Sequence, residues 1–159
     1  PILGVDTETR PSFSKGRGFQ VSLLQVSTRD TCYLFRLHLT GITPAIIRFL
    51  EDKTVPKVGL SWHDDLLQLH KRAEFKPGYF IELQDEAKKF GLQDMSLQKL
   101  YANLFHQKIS KAQRLSNWEA SELKDSQMAY AATDAWCCIN LYEELLRLKQ
   151  EGDYELDEL

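Results

Sequence analysis

The order of its apolar segments limits the folds that this chain can adopt. Three short segments near its start are rich in apolar and β-branched residues, which is typical of strands. They cover residues 2–5, 19–27 and 32–35, and we expect them to be neighbours joined by tight connections. Strand and helix patterns then alternate. This order predicts an α/β fold with a central mixed β-sheet flanked by α-helices.

Helix caps and helical spacing predict the later elements. Thr43 before Pro44 is typical of a helix start, and Ser96 before an apolar stripe predicts another. Strands are expected at residues 57–61 and 79–83, a helix at 64–71, and a further helix that ends at Gly91. The longest pattern predicts a helix over residues 125–149, which at about 1.5 Å per residue would span a small domain.

Size and composition predict one globular domain. The chain has 159 residues, of which 43% are hydrophobic and 27% are charged, so it is long enough to bury a hydrophobic core without disulfides or structural metal ions. We expect the domain to occupy residues 1–150. Residues 151–159 carry five acidic side chains and are interpreted as an acidic C-terminal tail that frays.

Cysteine usage and hydropathy predict an intracellular protein. Cys32, Cys137 and Cys138 are odd in number and form no Cys-x-x-Cys pair, which favours a reducing compartment. No leader opens the sequence, and no apolar run approaches the roughly 18 residues of a membrane span. We therefore expect a cytoplasmic protein, nuclear if the source is eukaryotic, with no membrane partner.

The net charge of −3 is unusual for a nucleic-acid-binding protein, because phosphate contacts usually leave a basic footprint. If several acids are gathered at a metal site, however, the bound cations invert the local field. The remaining Lys and Arg side chains could then line a path for a phosphate backbone. Net charge therefore does not exclude a nucleic-acid substrate.

Asp6 and Glu8 directly follow an apolar run. If the strand continues, these residues lie at i and i+2 and point to the same face. Two adjacent carboxylates repel each other unless a cation separates them. The alternative is a pair of exposed acids at the end of a strand, so this short motif is compatible with a metal site but does not establish one.

Tyr130 and Asp134 lie four residues apart on the predicted long helix, so both project from one stripe. Small neighbours (Ala129, Ala131 and Ala132) would let another backbone or a substrate come close. The alternative is a core tyrosine and a solvated aspartate.

Asp64 and Asp65 form a third acidic cluster, at a strand-to-helix junction. Helix capping could explain one of them. Taken jointly, the three clusters are widely separated in sequence and would meet only through the fold, which is how two-metal phosphodiester sites are assembled. Oxygen ligands of this type suit Mg²⁺ or Mn²⁺.

These motifs resemble those of the DEDDy 3′-5′ exonucleases. The resemblance is carried by Val5-Asp-Thr-Glu8, by Val58-Gly59 with Asp65-Leu66, and by Tyr130-Ala-Ala-Thr-Asp134-Ala-Trp136. Residues 20–25, Cys32-Tyr-Leu-Phe35 and Ser116-Asn-Trp118 are most similar to the RNase D branch and to Werner-type exonuclease domains. The resemblance covers residues 2–148 and implies the RNase H-like (DnaQ-like exonuclease) fold.

The resemblance also implies a mechanism. Asp6, Glu8 and Asp134 would hold one divalent cation, Asp6 and, through water, Asp65 would hold a second, and Tyr130 would position the attacking water. The expected reaction releases nucleoside 5′-monophosphates from a 3′ end. Ala129 stands where the other branch of the family has His, so the tyrosine subtype is implied. Ser61 and Lys124 depart from the family pattern, but neither replaces a metal ligand.

The expected partner is a single-stranded or 3′-ended nucleic acid, and the motifs favour neither DNA nor RNA. Candidate substrate-binding residues are Thr7, Leu23, Trp62 and Arg114. Phe13 could stack on a base. Phosphate contacts could come from Arg10, Lys15, Arg17, Lys108 and Lys111. For Trp62 the alternative is a position in the core. For each of the Lys and Arg side chains the alternative is a solvated position on the surface. A non-cutting binding module and a different phosphohydrolase are the rival functions, although the presence of all five site residues counts against the first.

Overall fold

The computed structural model describes residues 1–92 and 95–152. Its strands are β1 (Leu3–Glu8), β2 (Leu23–Ser27), β3 (Cys32–Arg36), β4 (Lys57–Gly59) and β5 (Phe80–Glu82). Its helices are α1 (Leu37–Thr40), α2 (Pro44–Glu51), α3 (Trp62–His70), α4 (Leu83–Lys88), α5 (Leu97–Phe105) and α6 (Asp125–Glu151).

The five strands form one mixed sheet in the order β3-β2-β1-β4-β5. β1 lies at its centre, antiparallel to β2 and parallel to β4. β2 and β3 form an antiparallel hairpin, whereas β4 and β5 are parallel. The prediction of a mixed sheet flanked by helices is therefore confirmed.

Helices cover both faces of the sheet. α4, α5 and α6 pack on one face around Val58, Leu100 and Ile139. α2 and α3 pack on the other face around Val5 and Trp62. Because side chains alternate along a strand, the residues of β1 next to Val5 point towards the α6 side. Asp6 and Glu8 therefore share a face with Gly4.

Several predicted boundaries need correction. Residues 9–22 separate β1 from β2, so this connection is long and not tight. α3 starts at Trp62, two residues before the predicted Asp64, and α4 ends at Lys88, before Gly91. The short helix α1 was not predicted from the sequence. β1 extends beyond the predicted residues 2–5 and continues through Asp6 to Glu8, which is the condition under which the two carboxylates share a face.

The C-terminal prediction is only partly covered by the structure. α6 continues to Glu151, so the first residue of the predicted tail is helical. Residues 153–159 lie outside the described residues, and the division into a domain and a tail stays a prediction. None of the helices in the described ranges has both the length and the apolar character needed to cross a membrane.

Gly4 brings α6 into direct contact with the central strand. A Cβ atom at this position would lie 2.0 Å from the carbonyl oxygen of Ala135 in α6. Only a residue without a side chain allows this distance. The contact sets Asp134, the neighbour of Ala135, beside the face of β1 that carries Asp6 and Glu8.

We therefore predict that Gly4→Ala destabilises the protein by at least about 3 kcal/mol, the upper part of the usual range for overpacking, because backbone atoms on both sides cannot rotate away. Thermal denaturation measures the effect. Gly18→Ala is the matched control, since a methyl group there meets nothing within 4 Å. Equal melting temperatures for the two variants would contradict the role assigned to Gly4.

Candidate active site

β1 and α6 bring three carboxylates together. Asp6, Glu8 and Asp134 each offer a carboxylate oxygen, and these atoms all lie within 4.8 Å of one another. Asp6 and Glu8 come from alternate positions of β1, and Asp134 comes from the turn of α6 that rests on Gly4. The convergence predicted for the first and third motifs is thus present in the fold.

Asp65 approaches the cluster from the opposite side of β1. It lies in the first turn of α3, which starts after Ser61, a residue in the left-handed region with φ of 52°. The Thr7 hydroxyl donates a hydrogen bond of 2.5 Å to Asp65 Oδ1. The charge of Asp65 also raises the pKa of Glu8. Asp65 is therefore part of the same electrostatic cluster, but it is hydrogen-bonded to Thr7 and lies outside the group formed by Asp6, Glu8 and Asp134.

Burial raises the pKa of all four carboxyl groups, and repulsion between neighbouring acids raises it further for three of them. Burial is the largest cause for each: the pKa rises to about 8 for Asp6, to about 9 for Glu8 and to about 8 for Asp65, with neighbouring acids adding to the rise. For Asp134 burial raises the pKa to about 7, while the Tyr130 hydroxyl lowers it. Without a bound cation, the folded protein therefore retains protons here near neutral pH.

The cluster fits a hard divalent cation. Asp134 is 5% exposed, and its Oδ1 atom is buried with no hydrogen-bond partner among the described residues. A buried oxygen of this kind is costly unless something binds it. Since the donors are all carboxylates, the site suits Mg²⁺ or Mn²⁺ better than a metal that prefers nitrogen or sulfur ligands.

Tyr130 adds a neutral hydroxyl beside the carboxylates. It lies one helical turn before Asp134 and interacts with that carboxylate. Burial, followed by the charges of Asp134, Glu8 and Asp6, raises the pKa of Tyr130 well above its usual value. Its ring stacks on Trp118 with a centroid distance of 6.0 Å and an interplanar angle of 30°. Tyr130 is thus a fixed, protonated phenol at the edge of the cluster.

Arg36, which no sequence pattern predicted as a site residue, fixes the segment that carries Trp118. From the end of β3, its guanidinium donates hydrogen bonds to the carbonyl oxygens of Ser121 at 3.1 Å and of Trp118 at 3.4 Å, and to that of Ala120. Because Trp118 is fully buried against Tyr130, Arg36 indirectly fixes the position of the tyrosine.

Ser22 connects the same segment to the end of β1. Its backbone N–H donates to the carbonyl oxygen of Glu8 at 2.9 Å. Its hydroxyl donates to Glu119 Oε2 at 2.8 Å and accepts from the backbone N–H of Arg10 at 3.1 Å. The backbone at Glu8 and the segment before α6 are therefore linked through one serine.

Gln25 and Glu82 are further polar supports that the sequence analysis did not assign. Gln25 is fully buried on β2, and its amide donates to the carbonyl oxygen of Ala131 at 3.3 Å and lies 3.5 Å from Glu8 Oε1. Glu82 accepts from the backbone N–H of His63 at 3.2 Å, which fixes the first turn of α3. A glutamine inside the apolar run of residues 23–26 was the available signal for the first.

The predicted substrate-binding residues divide into two groups. Leu23 and Trp62 are 0% and 1% exposed, which favours a core position over substrate contact. Leu23 packs with Trp118 and Tyr130, and Trp62 stacks on Phe80 at 5.3 Å. Thr7 contacts Asp65 as described above. Arg114 is exposed, and its charge acts on Tyr130, so it stays a candidate for substrate contact.

Comparison with known sequences gives a consistent result. A sequence model described as 3′-5′ exonuclease matches residues 1–149. The mouse bifunctional 3′-5′ exonuclease/ATP-dependent helicase WRN is 29% identical over 91% of this chain and 11% of its own length. Exonuclease 3′-5′ domain-containing protein 2 of Drosophila melanogaster is 34% identical over 92% of this chain and 25% of its own length. An Arabidopsis thaliana 3′-5′ exonuclease is 33% identical over 91% and 52%. The chain spans about half or less of these relatives.

Known structures share the fold. Escherichia coli RNase D has a TM-score of 0.80 at 21% identity, over 96% of this chain and 40% of that one. The EXO domain of Aedes aegypti Nibbler has a TM-score of 0.79 at 20% identity, over 97% and 81%. Brucella melitensis NrnC with bound Mg²⁺ has a TM-score of 0.76 at 24% identity, over 95% and 75%. The predicted RNase H-like fold is confirmed.

The raised pKa values predict how the metal-free protein responds to pH. Between about pH 4 and pH 8 the folded protein holds protons that the unfolded chain has released, so raising the pH favours unfolding. Asp6→Asn removes one of these groups. We expect this variant to melt more than about 4 °C above the wild type at pH 8 in EDTA, because a domain of this size shifts its melting temperature by about 2–4 °C per kcal/mol of unfolding free energy. At pH 5 the difference in melting temperature should be smaller.

Differential scanning calorimetry at both pH values measures this change. Glu74→Gln removes an exposed acid that is not among the causes of the pKa shifts of the four carboxyl groups, and this variant should keep the wild-type pH dependence. An Asp6→Asn variant that is less stable than the wild type at pH 8 would contradict the proposed repulsion.

Proposed function

The chain belongs to the 3′-5′ exonuclease family, and from this premise we propose that it hydrolyses a nucleic-acid strand from its 3′ end and releases nucleoside 5′-monophosphates with two divalent cations, Mg²⁺ or Mn²⁺. The observation that carries the proposal is the convergence of Asp6, Glu8 and Asp134 within 4.8 Å. Acidic clusters of this kind, built from remote parts of a chain, are used for phosphodiester hydrolysis.

Four carboxylates would hold the cations. Asp6, Glu8 and Asp134 would bind one, and Asp6 with Asp65, the latter through water, would bind the other. Bound there, the cations would supply Lewis-acid stabilisation of the negative charge that develops on the phosphate. The hydrogen bond from Thr7 keeps Asp65 oriented on its side of β1.

Tyr130 is proposed to orient the attacking water. Its raised pKa keeps the phenol protonated, so the hydroxyl can donate a hydrogen bond or accept one from water without losing its proton. The stacking of Trp118 and the contacts of Arg36 restrict the ring. A restricted hydroxyl beside the carboxylates aims the water without acting as a metal ligand.

The proposed substrate is a single-stranded or 3′-ended DNA or RNA. The similar proteins include a helicase-linked exonuclease and an RNase D, so both sugars are within the proposal. Phe13 is 85% exposed in the loop after β1 and is available for a terminal base. A non-cutting binding module would have no need for all five site residues, and this argument favours an enzyme.

Removal of a carboxylate should abolish activity. We expect Asp6→Ala and Asp134→Ala to remain folded but to lose at least about 10³-fold in kcat, because the charge stabilisation of the transition state is lost. Tyr130→Phe should lose less, since the hydroxyl orients water and binds no cation. Steady-state kinetics on a labelled oligonucleotide compare the three. A larger loss for Tyr130→Phe than for Asp134→Ala would contradict these roles.

The neighbouring acids Asp64 and Asp65 provide a matched pair for the second motif. Asp64 is exposed, whereas Asp65 accepts the hydrogen bond from Thr7. Asp64→Ala should keep nearly wild-type kcat, and Asp65→Ala should not. A larger loss of kcat for Asp64→Ala than for Asp65→Ala would assign the second motif to Asp64.

Polarity and metal need can be tested on one gel. With Mg²⁺ or Mn²⁺, a 5′-labelled strand should give a ladder that shortens from the 3′ end, and a 3′-labelled strand should release labelled mononucleotide at the first cut. EDTA should stop both reactions, and Asp6→Ala should show neither. Larger labelled fragments from the 3′-labelled strand, or undiminished cleavage in EDTA, would refute the proposal.

A further inference from the structure

Two adjoining surface cavities of 390 Å³ and 630 Å³ extend away from Tyr130. The first is bounded by residues of α6, including Ala129 and Tyr130, and the second by residues of α5, including Lys99. Both are lined by Lys108, Ile109 and Ser110, so they form one continuous depression, here called the α5–α6 groove. Each cavity is within the roughly 300–1,000 Å³ of small-ligand sites, so the whole groove has room for more than one nucleotide.

The α5–α6 groove is basic although the protein is acidic overall. Its lining includes Lys99, Lys108 and Lys111, and none of the described residues that line it is acidic. All three lysines are exposed, and they form no ion pair within the described ranges. Their charges are therefore available to an external anion.

The sequence of this region has the same bias. Between Asp94 and Glu119 there is no acidic residue, which is the longest such run in a chain that holds 23 acids. The run contains the three groove lysines and Arg114. Positive charge is thus concentrated on the surface that leads to Tyr130, as expected where a polyanion approaches an acidic centre.

The remaining lining determines which part of a polyanion it would contact. Apart from Tyr130, the residues that line the groove are aliphatic, hydroxyl or amide residues and lysines, without an aromatic ring. Recognition of single-stranded bases relies largely on aromatic stacking, whereas lysines bind phosphates without regard to sequence. Small side chains such as Ala102 and Ala129 leave the groove shallow enough for a backbone to lie along it.

We infer that the α5–α6 groove binds the sugar–phosphate backbone of the strand that leads to the 3′ end, over several nucleotides and without reading base sequence. The direction of the strand rests on the proposed function, since Tyr130 marks the end of the groove nearest the carboxylates. The affinity of the protein for a strand therefore depends on strand length and on salt.

The test measures binding without cleavage. Fluorescence anisotropy with labelled dT12 and rU12 is recorded in EDTA at several salt concentrations, for the wild type and for Lys108→Gln/Lys111→Gln. Each phosphate contact contributes about 0.7 to the slope of log affinity against log salt for single strands. The double variant should lose about 1.4 from this slope, so the affinity lost between 50 and 200 mM salt becomes about sevenfold smaller. Equal losses on dT12 and rU12 would show that the groove binds the shared backbone.

Lys53→Gln/Lys76→Gln is the matched control, because it removes the same charge from exposed residues outside the groove. An unchanged slope for the groove variant, or an equal loss for the control, would overturn the inference. So would equally effective competition by polyglutamate, which would assign the groove to an acidic peptide. Because the assay contains no metal, its result is independent of whether the wild type cuts a strand.

Strand length provides a second measurement. Lys99 lines only the cavity further from Tyr130. Lys99→Gln should therefore weaken binding of dT12 more than binding of dT3, and the wild type should prefer dT12 by more than the statistical factor for overlapping sites. An equal effect of Lys99→Gln on both lengths would contradict an extended groove.

Discussion

The direct contact between α6 and the central strand at Gly4 determines most of what this site can do. Two carboxylates of β1 point towards the helix, and the helix must approach closely for its own carboxylate to join them. A side chain at Gly4 would meet the carbonyl oxygen of Ala135, so the approach depends on its absence. Tyr130 lies one helical turn before Asp134 on α6, so the same close approach also brings the tyrosine to the cluster. The geometry of the site therefore depends directly on this backbone contact.

The gathered carboxylates oppose folding, and the surrounding structure offsets that cost. Burial raises the pKa of Asp6, Glu8, Asp65 and Asp134, and repulsion between acids adds to the rise for the first three. Donors such as the hydroxyl of Thr7 and the amide of Gln25 reach some of the oxygens, whereas Oδ1 of Asp134 has no partner in the described part of the chain. The hydrophobic layers on both sides of the sheet supply the stability that the cluster lacks. A cation that neutralises the cluster would act in the same direction.

Local patterns predicted the elements and the acids, while long-range packing decided the rest. Alternation placed Asp6 and Glu8 on one face of a strand, and helical spacing placed Tyr130 and Asp134 on one stripe. The sequence could not separate core from substrate contact for Leu23 and Trp62, which are buried in the fold, because an apolar residue near a motif suits either position. The contacts of Arg36 with residues 118–121 join parts of the chain more than 80 positions apart, and no local pattern marks such a partner.

The carboxylates and the tyrosine are anchored at different places. Asp6, Glu8 and Asp134 depend on β1 and α6 at the centre of the sheet, whereas the ring of Tyr130 also rests on Trp118, whose segment is bonded to Arg36 on the edge strand β3. The positions of the carboxylates and of the tyrosine can therefore vary separately. Under the proposed mechanism, substitutions along the sheet edge would lower turnover while the carboxylate cluster stays intact, so sequence change at that edge would slow catalysis before it abolished metal binding.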